Sequence, residues 1–327
     1  MGISVFLFRI FGGFVMKEIF GVPQIVAEAR EQAVKTAKPG KKPGMNWVLI
    51  VLICSVIHFV GMGIASAPLA VLEVVNVALK QSGSETIQIS ETLTMAVLHL
   101  CLIFELIMYC LFVKFCEKRK IRTMGFVKDK AGINLAVGAV SGFALFSLSV
   151  LFCIVTGAVK VSLTDNVSVL MVLIALPGWF IQSMTEEVCC RGFLLTSIAR
   201  RYSVTLGIII NALFFGVYHI LNGGFTVIPL INTILFGVFT SIIFVKTGNL
   251  WACGALHALW NFTQGNIFGV QVSGHELQDS VFTTSLISGK EILNGGSYGL
   301  EGGLGVLLVL LLGTIAIALI PIKKREA

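Results

Sequence analysis

The chain has 327 residues, of which 56% are hydrophobic and 13% charged, against roughly a quarter charged in soluble domains. That balance excludes an ordinary soluble enzyme and indicates an integral membrane protein. The formal net charge of +7 would suggest nucleic acid as a partner of a soluble chain. Here the basic residues stand beside apolar runs, so topology explains them and no nucleic-acid partner is expected.

Residues 1–29 read as an amphipathic or interfacial helix. Arg9 and Lys17 interrupt the apolar stretch, and no small-residue cleavage site follows, which argues against a signal peptide. A membrane-spanning helix needs roughly 20 apolar residues. Such runs are predicted near 46–72, 94–115, 134–158, 167–188, 203–221, 226–245, 249–268 and 302–321. The expected fold class is therefore all-α, a polytopic bundle of about eight transmembrane helices.

The connecting segments set orientation. Residues 30–44 carry Arg30, Lys35, Lys38, Lys41 and Lys42, while 81–93 carry no Lys or Arg. Residues 117–130 carry six basic residues, and 159–166 only Lys160. Arg200 and Arg201 follow the fourth run, 220–225 are uncharged, and Lys246 follows the sixth. Segment 269–300 has only Lys290, and the tail carries Lys323, Lys324 and Arg325. Rich and poor segments alternate, so the positive-inside rule puts both termini in the cytosol.

The run 167–199 is too long for one untilted crossing, since 33 residues extend about 50 Å at a rise of roughly 1.5 Å per residue. Either Pro177-Gly178 kinks it or the helix continues towards Arg200. Segment 269–300 reads as an outer loop of mixed polarity. The eight cysteines contain no CxxC pair, so they read as reduced packing residues rather than a thiolate zinc site.

Ionisable residues inside spans are costly, and each is a functional candidate. They are His58, Glu73, His99, Glu105, Glu186, Glu187, Arg191, His219 and His257. His58, His99 and Glu105 belong to no motif and read as helix-to-helix hydrogen bonds or the lining of a polar pocket. The stretch Thr185-Glu186-Glu187-Val188-Cys189-Cys190-Arg191 is different. Glu187 and Arg191 share a helix face in the favourable order and can neutralise each other. Glu186 is rotated about 100° away. It must find a partner on another helix, hold water or take up a proton.

Two further pairs share helix faces: Phe215 with His219, and His257 with Asn261. Polar side chains stacked in an apolar helix need something polar to face. One carboxylate, two imidazoles and an amide on three helices are expected to converge on one buried pocket. Water activated by Glu186 would suit that pocket, and so would a zinc ion. HExxH does not occur, which excludes a zincin helix.

These three motifs, in this order and spacing, resemble the CAAX-protease and bacteriocin-processing family of intramembrane endopeptidases (CPBP, also called Abi). That family carries EExxxR, FxxxH and HxxxN on successive membrane helices. The resemblance covers about residues 165–268. It implies a peptidase with its site inside the membrane, opening to the cytosol. Glu186 would be the general base, His219 would hold water, and His257 and Asn261 would stabilise the oxyanion. Glu187, Arg191 and Phe215 would support the site. The resemblance leaves the cofactor open between none and a zinc ion on Glu186, His219 and His257.

The expected organisation is an N-terminal interfacial and cytosolic segment 1–45, N-terminal transmembrane helices 46–164, a catalytic core 165–268, an extracytoplasmic loop 269–300, and a last helix with basic tail 301–327. The expected partners are membrane lipid and a membrane-associated peptide or protein, either a CAAX-like prenylated tail or a peptide leader. The expected location is a cell membrane, bacterial in the absence of eukaryotic targeting signals. The alternative is a catalytically silent membrane scaffold or bacteriocin-immunity factor of the same fold. A proton-linked transporter is disfavoured because no internal repeat is visible.

Overall fold

The structure is a computed structural model that describes residues 22–37, 43–276 and 279–320. Most of the interfacial helix expected over 1–29, and the basic tail, lie outside the described residues. The described part begins with α1, Gln24–Thr36, which buries Ile25, Val26, Ala29 and Ala33.

Six helices are long and apolar enough to cross a membrane among the described residues. They are α2 (Trp47–Gln81), α3 (Glu91–Cys116), α4 (Ala131–Val155), α5 (Val169–Arg201), α6 (Val204–Leu221) and α7 (Val227–Thr247). Two shorter helices occupy the other predicted runs. α8 spans Leu250–Phe262 and continues as a π-helical turn to Ile267. α9 spans Leu304–Leu319. α8 is apolar mainly because protein surrounds it: 11 of its 13 residues are buried. A count of apolar residues does not separate burial in protein from burial in lipid.

Local chemistry places the helix ends. The side chains of Asn46, Ser90, Ser203 and Asn249 accept backbone N–H bonds at the starts of α2, α3, α6 and α8. Gly248, at φ +62°, ends α7 in the left-handed region, and Asn249 immediately caps α8. That joint turns the chain sharply and returns α8 into the bundle. α5 is continuous past Pro177, so of the two expectations for the long run, the extended helix is observed. Its segment Val188–Leu195 is π-helical, directly after the paired glutamates.

The packing of α8 against α4 depends on Gly138 and Gly142. A Cβ at Gly142 would lie 2.1 Å from the Leu256 carbonyl oxygen, and one at Gly138 2.3 Å from that of Ala252. This small-xxx-small stripe lets the backbones approach closely and sets the depth of His257, the neighbour of Leu256. Gly142→Ala is expected to destabilise the protein by about 1–3 kcal/mol by overpacking, read as a lowered Tm in detergent. Gly132→Ala, where nothing lies within 4 Å, is the control expected to leave Tm unchanged.

The helical bundle carries one feature that the all-α reading did not contain. β1 (Val159–Leu163) pairs antiparallel with β2 (Phe282–Leu286), joining the segment after α4 to the segment after α8. Thr92 also donates to Asp279 (2.6 Å), and Asn294 to the Ala158 carbonyl (2.9 Å). The segments poor in Lys and Arg thus gather at one end of the bundle. At the opposite end, Glu117 accepts from Arg119 and Arg200, each at 2.6 Å. There Arg30 donates to the Ala199 carbonyl (2.8 Å), and Arg201 to that of Gly44. The alternation of basic and non-basic segments is therefore a division between two ends of one molecule.

Candidate active site

The three motifs meet midway along the bundle. Glu186 and Glu187 lie on α5 just before its π-helical segment, His219 at the end of α6, and His257 and Asn261 on α8. Glu187 Oε1 lies 3.1 Å from Arg191 and 3.0 Å from His257 Nδ1. The side chains of Glu187 and Arg191 are completely buried. Arg191 also donates to Thr240 and to the Gly237 carbonyl on α7 (3.3 Å), and its guanidinium lies 5.0 Å from the Phe215 ring centroid. The ion pair thus ties α5, α6, α7 and α8 together. Breaking one side of such a buried pair is costly, although Arg191 Nε and Glu187 Oε2 have no hydrogen-bond partner among the described residues.

The other nitrogen of His257, Nε2, faces Glu186 Oε2 at 3.7 Å. Glu186 Oε1 accepts a bond from Gln182 (2.6 Å). Glu186 Oε2 is buried and has no hydrogen-bond partner among the described residues. His257 therefore stands between two carboxylates, with Glu187 orienting it towards Glu186. His219 Nδ1 lies 2.7 Å from the Phe215 carbonyl. A carbonyl only accepts, so Nδ1 carries the proton and Nε2 is the free nitrogen. Phe215 packs its ring on both His219 (4.7 Å between centroids) and His257 (6.0 Å).

Asn261 donates to Gln182 Oε1 (3.2 Å) and towards Ser183 Oγ (3.4 Å). Gln182 therefore links Asn261 to Glu186. Sequence reading found no local partner for Glu186. The signal was present four residues upstream, where the i,i+4 rule that paired Glu187 with Arg191 also pairs Gln182 with Glu186. Thr240 and Gly237 were also missed, and no local pattern marks them, because they reach Arg191 across a helix interface.

These groups border a cavity of about 810 Å³, lined by Glu186, His219, His257 and Asn261. All five histidines of the chain line it. His58 bonds Glu105 across α2 and α3 (2.9 Å), and the His99 ring packs on Trp179 (4.5 Å between centroids). His58 and Glu105 thus form a helix-to-helix hydrogen bond, while His99 makes a ring contact, and both histidines line the polar pocket. The cavity runs from Glu186 to Asn222, Ser273, His275 and Glu301, at the end poor in Lys and Arg. The resemblance implied an opening on the cytosolic side, which the positive-inside rule assigns to the basic end. The residues that line the cavity include no Lys or Arg.

Among the described residues, no three His, Cys, Asp or Glu side chains form a metal-ligand set. His257 is held by Glu187 through Nδ1, and His219 offers only Nε2. Each imidazole thus presents Nε2, which is also how a metal-ligating His is held, while Glu186, His219 and His257 are not grouped as a ligand set among the described residues. All eight cysteines are free; Cys54 and Cys189 pack with their sulfurs 3.3 Å apart beside Tyr109.

Residues 166–263 match the family model described as "Type II CAAX prenyl endopeptidase Rce1-like". No curated protein and no solved structure matches the chain.

Proposed function

We propose, from the match of residues 166–263 to the type II CAAX prenyl endopeptidase model and from the three motifs, that this chain is an intramembrane endopeptidase of the CAAX-protease and bacteriocin-processing type whose water is activated by Glu186. The observation that carries this reading is the Glu186 carboxylate. Its Oε2 is buried and unbonded, borders the cavity, and has an oriented imidazole 3.7 Å away. Glu187 also has a buried oxygen without a hydrogen-bond partner, but it pairs with Arg191 and does not line the cavity, whereas Glu186 does.

In this proposal a water in the cavity gives one proton to Glu186 Oε2 and directs the other to His219 Nε2. The resulting hydroxide adds to the scissile carbonyl carbon. His257, doubly protonated with its Nδ1–H held by Glu187, donates from Nε2 to the oxyanion and keeps both protons through the step, with Asn261 joining once it exchanges its longer bond to Ser183. Glu186 then passes its proton to the departing amine as the C–N bond breaks, which returns the carboxylate. Glu187, Arg191 and Phe215 fix the orientation of His257. The 165–268 core carries the chemistry, and the outer helices enclose it.

The proposed substrate is a membrane-associated peptide, a CAAX-like prenylated tail or a peptide leader. The proposed topology has eight crossings in a cell membrane with both termini cytosolic, because the basic segments gather at one end. The test of the function is cleavage by the purified protein and by Glu186→Gln. Survival of the cellular phenotype in a folded Glu186→Ala protein would instead indicate a silent scaffold or immunity factor. Topology is tested with reporter fusions. A fluorescent protein on the C-terminus is expected to mature in the cytosol, and alkaline phosphatase at Gly289 to be active outside. The reverse pattern would overturn the orientation.

A further inference from the structure

Glu301 lies at the outer end of the cavity, outside the matched segment. Its Oε1 accepts from Trp260 Nε1 (3.1 Å), and its Oε2 accepts from both the backbone N–H and the hydroxyl of Ser273 (each 2.9 Å). Trp260 adjoins Asn261 and follows His257 by three residues, about 4.5 Å of helix rise. The helix that carries the reaction-centre imidazole therefore also positions the Glu301 carboxylate. All three donors are neutral, and no Lys or Arg pairs with Glu301 among the described residues. The cavity lining contains Glu186 and Glu301 as carboxylates and no Lys or Arg. A carboxylate held by neutral donors, facing a cavity without a fixed cation, lacks its complementary charge.

From this arrangement we propose that Glu301 is a specificity-determining residue that binds an ammonium or guanidinium group of the substrate peptide. The proposal rests on the endopeptidase reading and narrows its substrate class. The cavity favours a cationic peptide segment arriving from the end poor in Lys and Arg. It supplies no Lys or Arg to meet the free C-terminal carboxylate of a CAAX-like tail. The three bonds from Trp260 and Ser273 preorganise the carboxylate, so little ordering is needed when the cation arrives.

The test uses the full-length protein in detergent with N-acetylated, C-amidated peptides in which one Lys is moved along the chain and compared with norleucine at the same position. A second pair with a free N-terminus distinguishes a side-chain cation from an α-amine. For one position, the ratio of kcat/KM for Lys over norleucine is expected to be about tenfold, as befits one charge-assisted hydrogen bond. In Glu301→Gln, which keeps the shape of the side chain and an acceptor for either Trp260 or Ser273, that ratio is expected to fall to about one. The same ratios are measured as Kd on Glu186→Gln protein, where cleavage plays no part. Charge preference in binding without cleavage by the wild type would overturn the endopeptidase reading and keep the cation subsite. Cleavage or binding without charge preference, or a preference unchanged in Glu301→Gln, would overturn the subsite.

Discussion

Glu186→Gln is expected to lower kcat/KM for peptide hydrolysis by about 10³-fold or more, within the range that general acid–base catalysis contributes. Gln keeps the shape of the side chain and still offers an oxygen to Gln182, so the fold is expected to survive. What it loses is the ability to take a proton from water and return it to the leaving amine. The result separates chemistry from architecture only if Tm in detergent stays within a few degrees of the wild type. The assay is run with and without a divalent-metal chelator. No three ligands stand together at the site, so the wild-type rate is expected to be unchanged by the chelator. Full activity in Glu186→Gln would refute the general-base role, and loss of wild-type activity with the chelator, restored by zinc, would refute the metal-free chemistry.

The second large effect is expected at the buried ion pair. Arg191→Met removes the cation 3.1 Å from Glu187 and leaves a fully buried carboxylate facing only His257. Breaking one side of a buried pair costs about 3–5 kcal/mol, which should appear as a large fall in Tm or as failure to accumulate. In Glu187→Met/Arg191→Met no charge is stranded, so a substantial part of that stability is expected to return. Activity is not expected to return with it, because His257 loses the carboxylate that holds its Nδ1. A double variant as unstable as Arg191→Met would show that the pair acts through packing rather than charge. A double variant with full activity would remove Glu187 from the orientation of His257.

Much of this site was legible in the sequence. Helical periodicity alone placed Glu187 opposite Arg191, Phe215 over His219, and His257 beside Asn261 on a face. The apolar context of each pair implied a shared polar pocket, since a lone polar face inside a membrane helix is costly. Gln182 was legible by the same rule and was overlooked. The bond from Glu187 to His257 was not legible, because it spans 70 residues of sequence and depends on how closely α8 approaches α5.

The sequence by itself determined that the chain is a membrane protein, where its apolar helices lie, which segments carry the basic residues, and which ionisable groups stand in the apolar runs. Those properties follow from local composition and from the 3.6-residue helical repeat, and both can be read without knowing which helices touch. Only the tertiary structure decided the rest. Glu73, one of those ionisable groups, is exposed, and Glu117, Arg119 and Arg200, in connecting segments, are buried. The Gly138 and Gly142 stripe sets the depth of α8 by backbone contact, and that depth brings His257 between Glu186 and Glu187. Pairing of β1 with β2 joins segments more than a hundred residues apart. The cavity joins Glu186 to Glu301, towards the end poor in Lys and Arg. Contacts between distant segments depend on shape, and no local pattern in the chain encodes the shape of a neighbour.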